Sequence, residues 1–313
     1  MKISFAIPCY GSEHTIASVI AELRQVMMDL PGYDYEIIMV SDASPDNVFE
    51  VIREICEADP KHCKGAELAR NFGQHSALMA AYRMATGDYI LSLDDDGQAP
   101  IEAVPQMLEA LREQDLVFGS YAHKKHSLFR NLGSRINNRM AEFLLGKPKN
   151  LHVTSFFAMR RFVMDEILKY GNAYPYLLGL LLRATKNIVN LPVNHRERAD
   201  GRSGYTFRKL LRLWINGFTA FSVVPLRMAT LCGLFCAFFG FCGVLWCIIN
   251  KLVRPEVPMG YTSLMTVIVF IGGVLMLMLG MIGEYIGRTY ICINKAPQYV
   301  IRNIINPESQ NES

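Results

Sequence analysis

The sequence predicts an α/β protein whose mostly parallel sheet is flanked by helices and followed by membrane-spanning segments. Along residues 1–200, short runs rich in β-branched and aromatic residues alternate with helical stretches. Two uncharged runs follow, from Ala229 to Ile249 and from Leu264 to Gly283. Of the 313 residues, 51% are hydrophobic and only 19% are charged, and the mean hydropathy is +0.16. Part of the chain is therefore expected to lie in lipid.

The predicted strands and helices of the first half follow one another in alternation. Strands are expected over Lys2–Ile7, Tyr35–Val40, Gly65–Ala69, Asp88–Leu93 and Leu116–Gly119. Helices are expected to begin at Ser12 and at Ser44-Pro45, and to cover Gln74–Met84 and Ile101–Arg112. In sheets of this kind, sites form at the carboxyl ends of the strands.

Polar residues follow each of the first four predicted strands, where such a site would form. They are Pro8-Cys9-Tyr10, Ser41-Asp42, Arg70-Asn71-Phe72-Gly73 and Asp94-Asp95-Asp96-Gly97-Gln98. One polar loop is ordinary punctuation between elements. Four loops that converge on one edge predict a site.

The three consecutive aspartates carry the clearest chemistry. Three adjacent carboxylates repel one another, and a hard divalent cation such as Mg²⁺ or Mn²⁺, held together with substrate phosphates, would relieve that repulsion. Alternation along the turn would place Asp94 and Asp96 on one side and Asp95 on the other. The competing interpretation is a solvated acidic turn that caps the helix after Pro100.

The last third of the chain is predicted to be a membrane hairpin. Spans are expected over 229–249 and 264–286, joined by an external loop at 250–263 and followed by a cytoplasmic tail at 287–313. Buried core helices are the competing interpretation of the apolar runs. Residues 204–228 place cations among large apolar groups, which is typical of an amphipathic segment at the lipid surface. A helix packed on the soluble domain is the alternative there.

Charge and cysteine usage exclude several classes of protein. Residues 1–202 contain 23 Lys/Arg against 25 Asp/Glu, whereas residues 203–313 contain 9 against 4, so the basic excess lies in the membrane half. This balance excludes a disordered chain and a nucleic-acid binder with a dominant basic face. The eight cysteines lack CxxC spacing and are expected to be reduced; a redox or metal pair at Cys56 and Cys63 is the alternative. With no export signal in the sequence, residues 1–203 and both termini are expected in the cytoplasm.

Taken in order and spacing, these motifs resemble glycosyltransferase family 2, and within it the polyprenyl-phosphate glycosyltransferases related to dolichyl-phosphate mannose synthase. The resemblance covers residues 1 to about 302 and includes Phe118-Gly119-Ser120, a His195–Tyr205 motif and Ala296-Pro297-Gln298-Tyr299-Val300. It implies a GT-A-type fold for the cytoplasmic domain. It also implies that the protein is located in the inner (cytoplasmic) membrane. It further implies a nucleotide-sugar donor, a polyprenyl phosphate acceptor, a bound Mg²⁺ or Mn²⁺, and a homo-oligomer, with a tetramer as the family-like state.

The resemblance also implies roles for individual residues. Asp42 would contact the base of the nucleotide, in a pocket shared with Pro8, Tyr10, Glu13, Arg70 and Asp95. Asp94 would face ribose or metal, and Asp96 and Gln98 would hold the metal against the diphosphate. Phosphate contacts would come from Arg198, Arg202 and Ser203 on a loop. The chain departs from the family at Gly204, where a lysine is common, and at Thr185-Lys186-Asn187, which replaces a Trp-x-Gly turn of the sugar pocket.

Three arginines in the middle segment are the candidate acceptor site. Arg130, Arg135 and Arg139 lie among residues with no acid before Glu142, and Arg135 and Arg139 share a helical face. They predict either a solvated basic face or a clamp for the lipid phosphate, in which Arg135 would be catalytic.

The expected chemistry is transfer of one sugar, with inversion, and needs no strong base because a phosphate monoester is already mostly dianionic at neutral pH. A cation would neutralise the leaving diphosphate while arginines position the acceptor. The rival functions are a processive polysaccharide synthase and a non-catalytic membrane scaffold with the same fold.

Overall fold

The computed structural model describes residues 1–121, 147–149, 151–193, 260–293 and 296–306, and a few isolated positions between 142 and 253. The chain divides into two compact units. The first unit contains Met1–Trp214 and Lys295–Ser313, and the second contains Ile215–Asn294. The first unit is therefore built from both ends of the chain.

The first unit is an eight-stranded sheet with helices packed against it. Its strands lie in the order β7-β5-β6-β4-β1-β2-β3-β8. They are β1 (Lys2–Cys9), β2 (Asp34–Ser41), β3 (Cys63–Leu68), β4 (Tyr89–Ser92), β5 (Leu116–Tyr121), β6 (Phe157–Arg160), β7 (Ile188–Val193) and β8 (Ile301–Ile305). The described helices of this unit are α1 (Ile16–Met28), α2 (Val48–Ala58), α3 (Gln74–Met84), α4 (Val104–Ala110), α5 (Arg161–Leu168) and α6 (Leu177–Ala184).

The central strands are parallel, as is the later β5–β7 pair, whereas β6 and β8 run antiparallel to their neighbours. β1 pairs in parallel with β2 and β4, and β2 pairs in parallel with β3. β6 runs antiparallel between β4 and β5, and β8 runs antiparallel along β3. The prediction of an α/β protein with a mostly parallel, helix-flanked sheet is confirmed, with β6 and β8 as antiparallel strands that the sequence pattern did not indicate.

Burial explains why these segments form strands and helices. Ile3–Cys9 of β1 is buried throughout, as expected of a strand covered by helices on both faces. In α1 the buried residues recur every three or four positions, so that one stripe of the helix faces the sheet. The helices begin later than predicted, at Ile16 and Val48, because the residues before them form the loops of the candidate site.

The C-terminal segment contributes a strand that the sequence pattern did not indicate. The residues predicted as a cytoplasmic tail, 287–313, contain the end of a long helix, α7 (Tyr261–Ile293), and the strand β8. Ala69 and Val300 form a further hydrogen bond beyond the paired strands, with 2.8 Å between the amide nitrogen and the carbonyl oxygen. The physical reason is that Ile301–Ile305 supplies backbone partners to the otherwise open edge of β3.

The described part of the second unit is mainly α7, a helix of 33 residues that is about 50 Å long. Its stretch Phe270–Gly287 is long and apolar enough to cross a membrane, and none of that stretch is buried within the protein. Among the described residues it is the one helix with this property. The predicted span 229–249 lies mostly outside the described residues.

Candidate functional site

Four loops meet at the carboxyl ends of β4, β1, β2 and β3, which are neighbours in the sheet. The same four loops are predicted from the sequence to form a site. Hydrogen bonds between side-chain carboxylates and backbone N–H groups join each loop to another. The site is therefore a connected set of loops.

Asp95 holds the loop after β1. Its Oδ2 accepts the Tyr10 backbone N–H at 2.8 Å, and its carbonyl oxygen accepts the Thr15 hydroxyl at 2.7 Å. Burial raises the pKa of the Asp95 carboxyl even though the Tyr10 hydrogen bond lowers it. Asp95 thus contacts the first loop, whereas its neighbour Asp94 contacts different elements.

Asp42 holds the loop after β3. The Phe72 and Gly73 N–H groups donate to its two carboxylate oxygens, each at 2.7 Å. Asp42 is 3% exposed, and burial raises the pKa of its carboxyl despite both hydrogen bonds. Gly73 has a φ of +94°, in the left-handed region that favours glycine, which lets the chain turn toward Asp42 before α3 begins.

Glu13 and Asp46 join the loops after β1 and β2. The Glu13 N–H donates to Asp46 at 2.9 Å, and the Glu13 carboxylate in turn accepts the Asn47 N–H at 2.9 Å. The Ser44 hydroxyl donates to Asp46 and accepts the Gly11 N–H. Glu13 therefore lies at the start of α2, where a carboxylate satisfies an otherwise unpaired helix N–H.

Asp94 lies between Gln74, at the start of α3, and Ser155, which comes shortly before β6. The Gln74 amide donates to Oδ1 at 2.7 Å, and the Ser155 hydroxyl donates to Oδ2. Burial, together with the neighbouring Asp96 and Asp95 charges, raises the pKa of Asp94 to about 6 although both hydrogen bonds lower it.

Tyr121 is the last residue of β5, which is separated from β4 in the sheet by β6. Burial and the charges of Asp94 and Asp96 raise the pKa of its phenol to about 12. The hydrogen bonds direct the Asp94 carboxylate toward Gln74 and Ser155, and the Asp95 carboxylate toward the Tyr10 backbone.

Asp96 and Gln98 complete the turn. The Gln98 N–H donates to the Asp96 carboxylate at 3.1 Å, and Gly97 between them has a φ of +72°. Asp94 and Asp96 offer carboxylate oxygens, which suit a hard divalent cation. In the part of the chain that the structure describes, no three His, Cys, Asp or Glu side chains come together to hold a metal. Two carboxylates still fit Mg²⁺ or Mn²⁺, which substrate phosphates and water would also coordinate.

The other candidate residues occupy different positions around the loops. Pro8 is buried in β1 and pairs with Val40, while Tyr10 is 55% exposed beside the aspartates. The exposed Arg70 guanidinium lies 4.6 Å from the centre of the Phe72 ring. Arg130, Arg135, Arg139, Arg198, Arg202 and Ser203 lie outside the described residues.

Three residues near the aspartates were not identified from the sequence: Gln74, Ser155 and Tyr121. Gln74 comes directly after the Arg70–Gly73 turn, and that position was the available signal. Ser155 is 61 residues from Asp94 in the chain and approaches it because β6 lies next to β4. Spacing along the sequence does not indicate that adjacency.

Residues 4–168 match the family described as glycosyl transferase family 2, and they make up more than half of the chain. The chain belongs to glycosyl transferase family 2. Residues 224–289 match a second family, described as the GtrB C-terminal hairpin. The resemblance to polyprenyl-phosphate glycosyltransferases is thus confirmed in both parts of the chain.

Solved structures share the fold of this family 2 glycosyltransferase at low sequence identity. Glucosyl-3-phosphoglycerate synthase from Mycobacterium tuberculosis, in complex with Mn²⁺, UDP and phosphoglyceric acid, is 18% identical with a TM-score of 0.52, over 70% of this chain and 76% of that one. The complex of the same enzyme with Mn²⁺, UDP-glucose and phosphoglyceric acid is 16% identical with a TM-score of 0.51, over 70% of this chain and 77% of that one. A structure described as a mycobacterial protein is 20% identical with a TM-score of 0.50, over 70% of this chain and 72% of that one. The similarity shows a GT-A-like α/β fold, and the chain is an enzyme that transfers sugar.

Proposed function

We propose that this glycosyltransferase moves one sugar from a nucleotide diphosphate sugar, with UDP-sugars favoured, to undecaprenyl phosphate or a related polyprenyl phosphate. The reaction would occur at the cytoplasmic face of the membrane, require a divalent metal and invert the anomeric centre. The observation that carries the donor half is the position of the Asp94 carboxylate just after β4, where Gln74 and Ser155 hold it and Asp96 follows in the same turn.

Different residues of the site would bind the nucleoside and the diphosphate of the donor. Asp42 and the loop after β1 would line the nucleoside pocket, and Arg70 would approach the donor from the next loop. Asp94, Asp96 and Gln98 would hold the cation, which when bound supplies positive charge to the leaving diphosphate. The two mycobacterial complexes contain Mn²⁺ with UDP or UDP-glucose on the same fold, which supports this assignment.

The acceptor half rests on the hairpin match and on α7. A helix with an exposed apolar stretch of this length would be costly in water and is favourable in lipid. Arg130, Arg135 and Arg139 would gather the acceptor phosphate, with Arg198, Arg202 and Ser203 closing over the donor diphosphate. The acceptor phosphate is itself the nucleophile, so these groups need only position an anion beside another anion.

The test is nucleotide release by the purified full chain in detergent. A panel of UDP-, GDP- and CDP-sugars would be assayed with and without undecaprenyl phosphate, at fixed Mn²⁺ or Mg²⁺. We expect release that requires one donor, the lipid and the metal, and a lipid-linked sugar as product. Asp96→Ala should lower kcat at least about 100-fold, as loss of a metal-holding carboxylate usually does.

Asp165→Ala is the matched control, because Asp165 is an exposed aspartate on α5 whose partner is Arg161 in the same helix. It should retain wild-type turnover. Lipid-independent turnover onto growing polysaccharide would instead favour a processive synthase. Absence of release with every donor, by protein that is folded and binds no nucleotide, would favour a scaffold.

A further inference from the structure

The segment that follows α7 forms hydrogen bonds with Ala69, the residue just before one of the site loops. The Ala69 N–H donates to the Val300 carbonyl at 2.8 Å, and the Arg302 guanidinium donates to the Ala69 carbonyl at 3.1 Å. Both backbone polar groups of Ala69 are therefore bound by the C-terminal segment. Ala69 is the last residue before the Arg70–Gly73 turn.

The other end of the same turn is bound within the site. Asp42 accepts the Phe72 and Gly73 N–H groups, and the next residue, Gln74, donates to Asp94. The turn is thus held at its start by the C-terminal segment and at its end by two site carboxylates. A shift at Ala69 would move Arg70 and Phe72 relative to Asp42.

Further contacts fix the C-terminal segment itself. The Gln298 amide lies 3.1 Å from the Asn172 carbonyl oxygen, in the chain between α5 and α6. Burial raises the pKa of the Tyr299 phenol, and the guanidinium of Arg83 on α3 partly offsets that rise. Arg302 also pairs with Glu67, whose carboxylate accepts the Asn303 amide at 2.7 Å. At the far end of β8, Asn306 donates to the Cys56 and Cys63 carbonyls.

We propose that Arg302 is a positioning residue of the donor site, which it serves by fixing Ala69 and through it the Arg70–Gly73 turn. The inference rests on the proposed function, because it assigns that turn to the nucleotide sugar. It extends the function by making the chain beyond the hairpin part of donor binding. Arg302 touches no substrate and acts through Ala69.

The test measures the affinity of the full chain in detergent for UDP, GDP and CDP with Mn²⁺ by calorimetry, and then donor and lipid kinetics. Arg302→Ala should raise the Kd for the nucleotide and the donor KM about three- to tenfold, the range that one hydrogen bond contributes. The value of kcat and the lipid KM should stay near wild type. Arg302→Lys should restore part of the affinity, because an ammonium group can still donate to the Ala69 carbonyl.

Asn306→Ala is the matched control, since it removes two hydrogen bonds from the end of β8 that lies away from Ala69. It should lower Tm without changing nucleotide affinity. Equal affinity losses in Arg302→Ala and Asn306→Ala would overturn the inference, as would wild-type affinity in Arg302→Ala. If Arg302→Ala does not fold, Arg302→Lys is compared with Asn306→Ala by the same criteria. Wild-type protein that binds none of the nucleotides overturns the proposed function instead.

Discussion

The hydrogen bonds of Asp42 indicate two roles for its carboxylate, in the structure of the site and in nucleotide binding. Both of its oxygens accept backbone N–H groups of the turn after β3. A carboxylate has about four acceptor positions, so a ring N–H of the base could still bind there. Asp42 would then organise the turn and contact the base through the same group. The two contributions can be separated by changing the nucleotide.

Replacing Asp42 with Asn should weaken nucleotide binding. One carboxylate oxygen becomes an NH₂ group that faces a backbone N–H donor, at a cost of about 1–3 kcal/mol for the unpaired group. Calorimetry with UDP, GDP and CDP measures the effect. A uniform loss indicates that Asp42 only holds the turn, and a loss concentrated on one base indicates contact with that base. Unchanged affinity for all three would exclude both roles.

Ser155 should support catalysis through Asp94. Ser155→Ala removes the donor to Oδ2 and leaves that oxygen to reorient, which we expect to lower metal affinity or activity about 10- to 100-fold, as loss of a group that orients a ligand does. Titration of activity against Mn²⁺ measures it. Ser155→Thr, which keeps the hydroxyl, should recover part of the loss, and Ser18→Ala on the exposed face of α1 should have no effect. Ser155→Ala with a wild-type Mn²⁺ curve would contradict this role.

At the scale of elements, one buried carboxylate joins the first three strands. Glu36 of β2 is 1% exposed and lies 2.9 Å from the Lys2 ammonium and 2.8 Å from that of Lys64. The Ser4 hydroxyl and the Thr86 N–H also donate to it. Burial alone would raise the pKa of Glu36, but the hydrogen bonds outweigh burial and lower that pKa to about 2. Removal of either lysine would leave a buried charge without its full set of partners.

The fold should consequently lose stability in acid over a defined range. Because the folded pKa of Glu36 lies below the unfolded value of 4.5, its stabilisation is complete above pH 4.5 and is lost as the pH falls toward 2. The amount is roughly 3 kcal/mol by proton linkage. Thermal unfolding at several pH values measures it. Glu36→Gln should unfold at lower temperature at pH 7 and show a flatter pH dependence, unlike the exposed Glu54→Gln; parallel curves for Glu36→Gln and wild type would contradict this account.

The elements also show what sequence can and cannot predict. β1 and β2 were predicted because each contains a run of buried residues that is mostly apolar, and α3 was predicted with its observed bounds. The aspartate turn was found because it follows such a strand. β6, β7 and β8 were missed because none has a long buried apolar run: β6 has only four residues, and β7 and β8 are mostly not buried. Ser155 and the Ala69–Arg302 contact depend on the pairing of β6 and β8 and were missed with those strands.

For the whole molecule, the return of the chain to its own sheet constrains membrane topology. The residues that precede and follow the second unit along the chain both belong to the first unit. A hairpin that enters the bilayer should therefore leave it on the side from which it entered. We expect epitope tags at both ends of the chain to be digested by protease added to sealed inside-out vesicles. A tag within 250–263 should be protected. Protection of only one end would imply an odd number of crossings.

The pairing of β8 with β3 also sets the order of events during synthesis. Asn303 and Glu67 touch although they are 236 residues apart, so this edge of β3 stays without β8 until the residues beyond the hairpin have left the ribosome. At about 5–20 residues per second, that interval is on the order of 10–50 s. An open strand edge is a template for pairing with other chains. The nascent enzyme therefore passes through a period of exposure to aggregation that ends only when the residues beyond the hairpin emerge.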